Sequence, residues 1–413
     1  MHRRMVKFLG VFVCLSLGYA TSGAQALRLF DRDVQVHGFA SQGFVYTGAN
    51  NWLTMDSSEG SAAFTDFGVN VSSNVTDKLR VGAQLYDRNL GHFGNYHPVL
   101  DWAVADYRLK SWLGVRGGKV KTTRGLYNDS QDLDFLHPFV LLPQSVYPTD
   151  LRDSTIAHVG GDVYGDIALK HRLGDLSYTV YAGHRSDSTS SGYPYLLSQF
   201  GTHFRSYGGL QYGADLRWKT PLKGLLIGVS RMNEEISGKG TAHDPLNFTG
   251  PIIPYSETSK ADWTNQFYGE FAVGKLHIDS EYRRYWRDQL LFGEASEDRD
   301  NVRGWYVSGS YRLVKRLTVG SYYSRYTLTE ILSGVLSTQF PNQTDSSLPA
   351  NHIYDKVVSA RYDANRLFDV KLEGHFMNGY GVGTYPEGFY PQVNPHGFTP
   401  DTNALVAKVG FNF

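Results

Sequence analysis

The 413-residue sequence predicts an all-β fold, a transmembrane up-and-down antiparallel β-barrel of about sixteen strands joined by eight long loops and seven tight turns. Three observations predict it. The chain is polar, with a mean hydropathy of −0.34, yet it carries 28 Tyr, 23 Phe and 7 Trp, a heavy aromatic load for such a composition. After the first 20 residues no apolar run is long enough for a membrane-spanning helix. Segments of 10 to 12 residues alternate apolar with polar side chains and are separated by short and long connections in turn. The 40 basic and 40 acidic residues balance, so nothing points to nucleic acid as a partner.

The first element is an export signal. Arg3, Arg4 and Lys7 precede an apolar stretch from Phe8 to Tyr19 that is too short to span a bilayer, and Ala24-Gln25-Ala26 has the small-x-small form of a cleavage site. Residues 1–26 therefore read as a signal peptide and 27–413 as the barrel. Cys14 is the sole cysteine and lies in the signal, so the mature chain has no disulfide to stabilise it.

The expected strands follow in order: 34–46, 61–73, 78–88, 101–110, 112–120, 161–172, 176–186, 207–219, 225–234, 263–273, 275–286, 303–313, 317–327, 353–363, 367–378 and 403–413. The tight connections carry turn residues, as in Asn74-Val75-Thr76-Asp77, Leu173-Gly174-Asp175, Pro221-Leu222-Lys223-Gly224 and Asp363-Ala364-Asn365-Arg366. The other connections are rich in Gly, Ser, Asn, Asp and Pro. In 275–286, Leu276, Ile278 and Tyr282 oppose Lys275, His277, Asp279, Glu281 and Arg283. In 367–378, Phe368, Val370, Leu372 and Phe376 oppose Asp369, Lys371, Glu373 and His375. A soluble sandwich also alternates, but a polar face so heavily charged with both signs suits a water-filled lumen.

Tryptophan supplies an independent test, because indole rings favour the membrane-water boundary. Trp102, Trp112, Trp218, Trp263, Trp286 and Trp305 all fall near expected strand ends, Trp112 and Trp218 at the short-turn rim and the other four at the long-loop rim. Such an arrangement makes two aromatic girdles. The last strand aligns Leu405, Ala407, Val409, Phe411 and Phe413 on one face and stops on the final Phe. Phe411 and Phe413 resemble the terminal signal by which outer-membrane barrels are recognised for assembly.

The longest connection, about 121–160, is too long to be an idle exposed loop. Here and just after it lie Gly125-Leu126-Tyr127-Asn128-Asp129, Leu142-Pro143-Gln144-Ser145-Val146-Tyr147 and Gly160-Gly161-Asp162-Val163-Tyr164-Gly165. In these motifs and in its architecture the chain resembles a Gram-negative outer-membrane porin family, distantly akin to the phosphate-selective porins. It departs from the phosphate-selective pattern by lacking a dense Arg/Lys ladder. The resemblance implies that the 121–160 loop folds inward as a constriction, that the protein is a homotrimer in the cell outer membrane, and that its partners are lipid, lipopolysaccharide, the barrel-assembly machinery and small hydrophilic solutes.

The implied function is passive diffusion through a water-filled pore, with acidic loop residues facing basic wall residues across a transverse field. Candidate constriction residues are Arg124, Asp129, Asp132, Asp134, Arg152 and Asp153; candidate wall residues are Arg80, Arg88, Arg116, Arg217 and Arg283. An equally weighted alternative is that the aspartates cap a turn or tie the loop to the wall. A runner-up function is a substrate-selective channel in which Tyr127, Tyr147 and Tyr164 line a slide for a sugar or organic acid. No G-x-S-x-G, H-E-x-x-H or P-loop motif occurs, so no enzyme, cofactor or metal is expected, and a barrel lipase or protease is the alternative of another class.

Overall fold

The computed structural model describes residues 25–29, 32–169, 173–190, 192–381 and 388–413. The expected signal peptide lies almost wholly outside the described residues. Strand β1 (Gln25–Leu29) pairs antiparallel with the start of β2 (Arg32–Thr47). Fifteen further strands follow: β3 (Ser61–Asn74), β4 (Leu79–Leu90), β5 (Val99–Lys110), β6 (Leu113–Lys121), β7 (Ala157–Ala168), β8 (Asp175–Ser186), β9 (His203–Lys219), β10 (Leu225–Asp244), β11 (Asn247–Val273), β12 (Leu276–Leu291), β13 (Ser296–Val314), β14 (Leu317–Gly334), β15 (His352–Asp363), β16 (Phe368–Asn378) and β17 (Asp401–Asn412). Each of β2 to β17 pairs antiparallel with its sequence neighbour, and β17 closes the ring on β2, from Ala404 opposite Thr47 to Asn412 opposite Phe39. The final residue continues the seam, for Phe413 and Gly38 exchange backbone hydrogen bonds of 3.0 and 3.2 Å. Closure leaves none of these sixteen strands as an edge.

Alternation explains which way each strand faces. On β16 Phe368, Val370, Leu372 and Phe376 are exposed on the outside, while Asp369, Lys371, Glu373 and His375 are buried inside. β12 repeats the pattern, with Leu276, Ile278 and Tyr282 outward and Asp279, Glu281 and Arg283 inward. An outer surface of this kind is an apolar belt around a polar interior. Among the described residues no helix is long and apolar enough to cross a membrane.

Two of the eight connections expected to be long are short. The polar residues after 234 and before 263 pair as strand, from Ser237 opposite Thr258 to Ala242 opposite Ile253, past a register shift at Asn233, so β10 and β11 are joined only through 245–246. Likewise β12 and β13 continue to a connection at 292–295. Beyond the hydrocarbon region an outward side chain has no need to be apolar, so alternation fades while backbone pairing continues. Trp263, Trp286 and Trp305 are consequently not at strand ends. Trp263 and Trp286 are direct cross-strand partners with rings stacked 6.4 Å apart, and the strands rise past them. Trp102, Trp112 and Trp218 do lie within a few residues of the ends of β5, β6 and β9.

The remaining long connections fold over the barrel mouth and pack together. Trp52, Phe93, Leu141, Leu196, Phe389 and Tyr390, from five different connections, share one buried apolar cluster. That cluster includes Leu141 of the 122–156 segment, which fastens the roof to the contents of the lumen.

Candidate functional site

The segment 122–156 leaves the wall between β6 and β7 and lies inside the barrel. Its local geometry is compact: 3-10 turns at Asp134–Leu136 and Thr149–Leu151 lead into a short helix, α1 (Arg152–Thr155). Backbone groups that such an irregular segment cannot pair within itself must find partners elsewhere, and here they find the wall. Glu373 of β16 accepts the N–H groups of Val140 and Leu141 at 2.6 and 3.3 Å. Arg361 of β15 donates to the carbonyls of Phe135 and His137 at 2.7 and 2.9 Å. Glu281 of β12 accepts the N–H of Leu126 and the hydroxyls of Tyr147 and Tyr306 at 3.1, 2.5 and 2.8 Å. Arg217 of β9 and Arg283 of β12 donate to the carbonyls of Gly125 and Val146 at 2.8 and 3.0 Å. Gly125 has a φ of +60°, and a β-carbon there would come within 2.1 Å of Gln266 and 2.5 Å of Glu281. Only glycine lets the loop backbone meet the wall so closely.

The charged side chains add a second set of ties. Asp134 bonds Lys371 at 2.9 Å and lies 3.5 Å from Lys408. Burial opposes its charge, but the two lysines outweigh burial and hold its carboxyl at about 2. Asp132 bonds Lys121 at 2.8 Å, accepts from Gln84 at 2.7 Å and is 3.4 Å from Arg152. Arg152 also bonds Asp101 at 2.9 Å and stacks 3.8 Å over the Tyr86 ring, while Asp153 bonds Arg88 at 3.0 Å. Asp150 accepts the Gly388 N–H at 3.0 Å and the Tyr390 hydroxyl. Burial pushes its carboxyl up to about 6 against those two hydrogen bonds.

Of the acid–arginine pairs expected across the lumen, the structure brings Asp153 to Arg88, whereas Asp132 and Asp134 find other partners. Asp132 and Asp134 meet lysines and Arg152, not the wall arginines, and so act as ties between loop and wall. Asp129 is within ion-pair distance of no described residue, although its charge acts on Arg217; its carbonyl accepts from Lys121 at 2.8 Å. Arg88, Arg217 and Arg283 do touch the loop. Arg80, by contrast, is exposed and donates to Ser72 at 2.9 Å, and Arg116 bonds Asp162 at 2.8 Å on the neighbouring strand. Nor do the three tyrosines form a strip. Tyr127 and Tyr147 are neighbours, with ring centroids 5.9 Å apart, but Tyr164 sits over Gly114 and bonds Asp106. Lys371, Glu373 and Glu281 were legible as inward-facing from alternation, whereas Lys408, Asp101 and Gln84 carried no signal of their role.

Space remains on both flanks of the segment. A cavity on the β8 to β14 side is lined by Arg124, Arg185, Tyr193, Glu234, Asp262 and Arg283 among others. A second lies against β3, β4 and β17 and is lined by Asp66, Arg88, Asp134, His137, Arg152 and Lys408 among others. Arg124 is distinctive. Its buried guanidinium donates to the Asn128 amide oxygen at 3.2 Å, its Nε has no hydrogen-bond partner, and burial together with the Arg283 charge disfavours its protonated form.

The closed barrel superposes on solved outer-membrane proteins. OmpT of Vibrio cholerae superposes with a TM-score of 0.56 at 11% identity, covering 94% of this chain and all of that one. The outer-membrane channel DcaP of Acinetobacter baumannii gives 0.52 at 11% identity over 92% of this chain and 97% of its own. The chain has the outer-membrane porin fold. The anion-selective porin from Comamonas acidovorans shares it, at a TM-score of 0.51 and 8% identity over 92% of this chain and all of that one. No family model matches the sequence, and no curated protein matches it. At these identities the likeness shows the fold alone.

Proposed function

We propose that the protein is an outer-membrane porin through which small hydrophilic solutes diffuse passively. One observation carries the reading: within a closed barrel belted by apolar residues, the 122–156 segment is tied to β4, β9, β12, β15, β16 and β17 and narrows a lumen lined by charges of both signs. Segments held at so many points set a fixed size limit, and mixed charge favours polar solutes over apolar ones. By the same reading the export signal is removed and the chain works as a homotrimer; OmpT of Vibrio cholerae, of like fold, is described in a trimer form. The test is planar-bilayer recording with purified, folded protein. Discrete ohmic conductance steps are expected, and a variant lacking residues 128–142 should conduct more. Folded protein that gives no steps overturns the reading.

A second reading, favoured by Arg124, is selectivity for an organic acid. A buried guanidinium beside Arg283, bonded to no carboxylate among the described residues, suits an anionic group, and Tyr193, Tyr207 and Tyr285 line the same cavity. In liposome swelling this reading expects rates that saturate with a small carboxylic acid and lose that saturation in Arg124→Gln. Rates that fall smoothly with solute size leave simple diffusion as the function.

A further inference from the structure

Where the strands rise past the tryptophans, β11 to β14 carry an acidic group outside the porin constriction. Asp298 and Asp300 lie on β13, Glu330 on β14 and Glu257 on β11, and all four are buried. The register makes them neighbours: Arg287 is directly opposite Asp300, Asp300 directly opposite Glu330, and Gln289 directly opposite Asp298. Asp298, Asp300 and Glu330 each offer an oxygen within 4.8 Å of the others, and among the described residues they are the group of this kind. Glu257 and Glu330 both act on Asp298 electrostatically. Like charges on directly opposed strand positions repel, and burial removes the water that would screen them.

Arg287 answers part of that charge. It bonds Oδ2 of Asp298 at 3.0 Å and Oδ2 of Asp300, and donates to the Tyr193 hydroxyl at 3.0 Å. Oδ1 of each aspartate is left without a hydrogen bond. Ionised together, Asp298, Asp300 and Glu257 would outnumber the one guanidinium bonded to the two aspartates. A second, independent feature points the same way. Gln289 is 1% exposed, its amide N–H faces Glu257, and its amide oxygen, opposite Asp298, is in hydrogen-bond geometry with no described residue. Leaving a buried amide oxygen without a partner is unfavourable. At the other edge, Gln343 donates to Glu330 at 2.9 Å while its own Oε1 has no partner.

We propose that Asp298, Asp300 and Glu330 bind a calcium ion, with the Gln289 amide oxygen as a fourth protein ligand, clamping β12, β13 and β14 together beyond the membrane. The donor set is all oxygen, with no imidazole or thiolate, which selects a hard cation. Side chains converging from three strands give the loose, many-oxygen shell that calcium accepts, water completing six to eight ligands, where magnesium demands a tight octahedron. The ion neutralises the excess, engages the free Oδ1 atoms and gives the Gln289 oxygen a partner.

The experiment uses the full folded protein in detergent after EDTA dialysis, with Tb³⁺ as the probe excited through nearby tyrosines such as Tyr193, and with Ca²⁺ as competitor. Saturable Tb³⁺ emission displaced by Ca²⁺, with a dissociation constant on the order of 10⁻⁴ M as in extracellular calcium modules, is the expected result. Asp298→Asn and Glu330→Gln should each weaken Ca²⁺ at least tenfold while keeping the heat-modifiable gel mobility of a folded barrel. If Asp298→Asn does not fold, Glu330→Gln, at the edge of the group, carries the comparison. The proposal is overturned if wild-type protein shows no saturable, Ca²⁺-displaceable signal, or if the folded Glu330→Gln variant binds as tightly as wild type. It is equally overturned if acid stabilises the EDTA-treated protein and Ca²⁺ does not, for then shared protons neutralise the group. Conductance is not read, so either outcome leaves the porin reading standing.

Discussion

Lys371 and Leu372 are adjacent in the chain and opposite in surroundings. Leu372 is 49% exposed on the outer belt, whereas Lys371 is 1% exposed inside and bonded to Asp134. A charge on the belt meets hydrocarbon, so Leu372→Arg should cost about 2 to 4 kcal/mol of folding free energy in lipid vesicles, measured by urea titration. Lys371→Met should be as damaging for another reason. It strands a buried carboxylate with only the more distant Lys408, a loss of about 3 to 5 kcal/mol by analogy with broken buried pairs, and trypsin should then cleave the inner segment faster. At this scale alternation revealed that Lys371 faces inward, but not its partner, because Asp134 lies 237 positions away in sequence and no local pattern encodes that meeting.

The inner segment is held by two carboxylates whose ionisation works in opposite senses. Asp134, held at about 2, contributes stability that is complete above its ordinary value near 4 and is lost as pH falls through about 2. Asp150, pushed up to about 6, behaves inversely: its contribution is complete below about 4 and is lost as pH rises through about 6. Each is worth roughly 2 to 3 kcal/mol at 1.36 kcal/mol per unit. The segment is therefore expected to be anchored most firmly near pH 4. Single-channel noise and protease sensitivity should rise on either side, and Asp150→Asn should abolish the change centred near 6 while leaving the acid one. An unchanged response near pH 6 in Asp150→Asn would remove Asp150 from this role. The segment's length and motifs foretold an inward fold through resemblance to porins, and its aspartates were as readily ties as field-makers. Tie is what Asp132 and Asp134 proved to be, because lysines on the wall lie nearer than the arginines expected there. The strand extensions β10 to β14 were invisible, since above the membrane neither face need be apolar and polar residues read as loop.

For the whole molecule, barrel closure turns one sheet into a tube whose two faces meet different solvents. If three such tubes associate, as proposed, chemical cross-linking in mild detergent should give a heat-sensitive species of three chains and conductance should appear in groups of three equal steps. A single-chain mass with solitary steps would make the barrel monomeric. The apolar belt, the number of strands and the direction of nearly every side chain were determined by the sequence, because a period of two residues under a hydrocarbon boundary leaves one solution. Only the tertiary structure decided what fills the tube. Which oxygen meets Lys371, why Arg124 bonds an amide oxygen, and how Asp298, Asp300 and Glu330 converge all depend on ring closure and on register between strands far apart in sequence, and those are long-range facts that local periodicity does not contain.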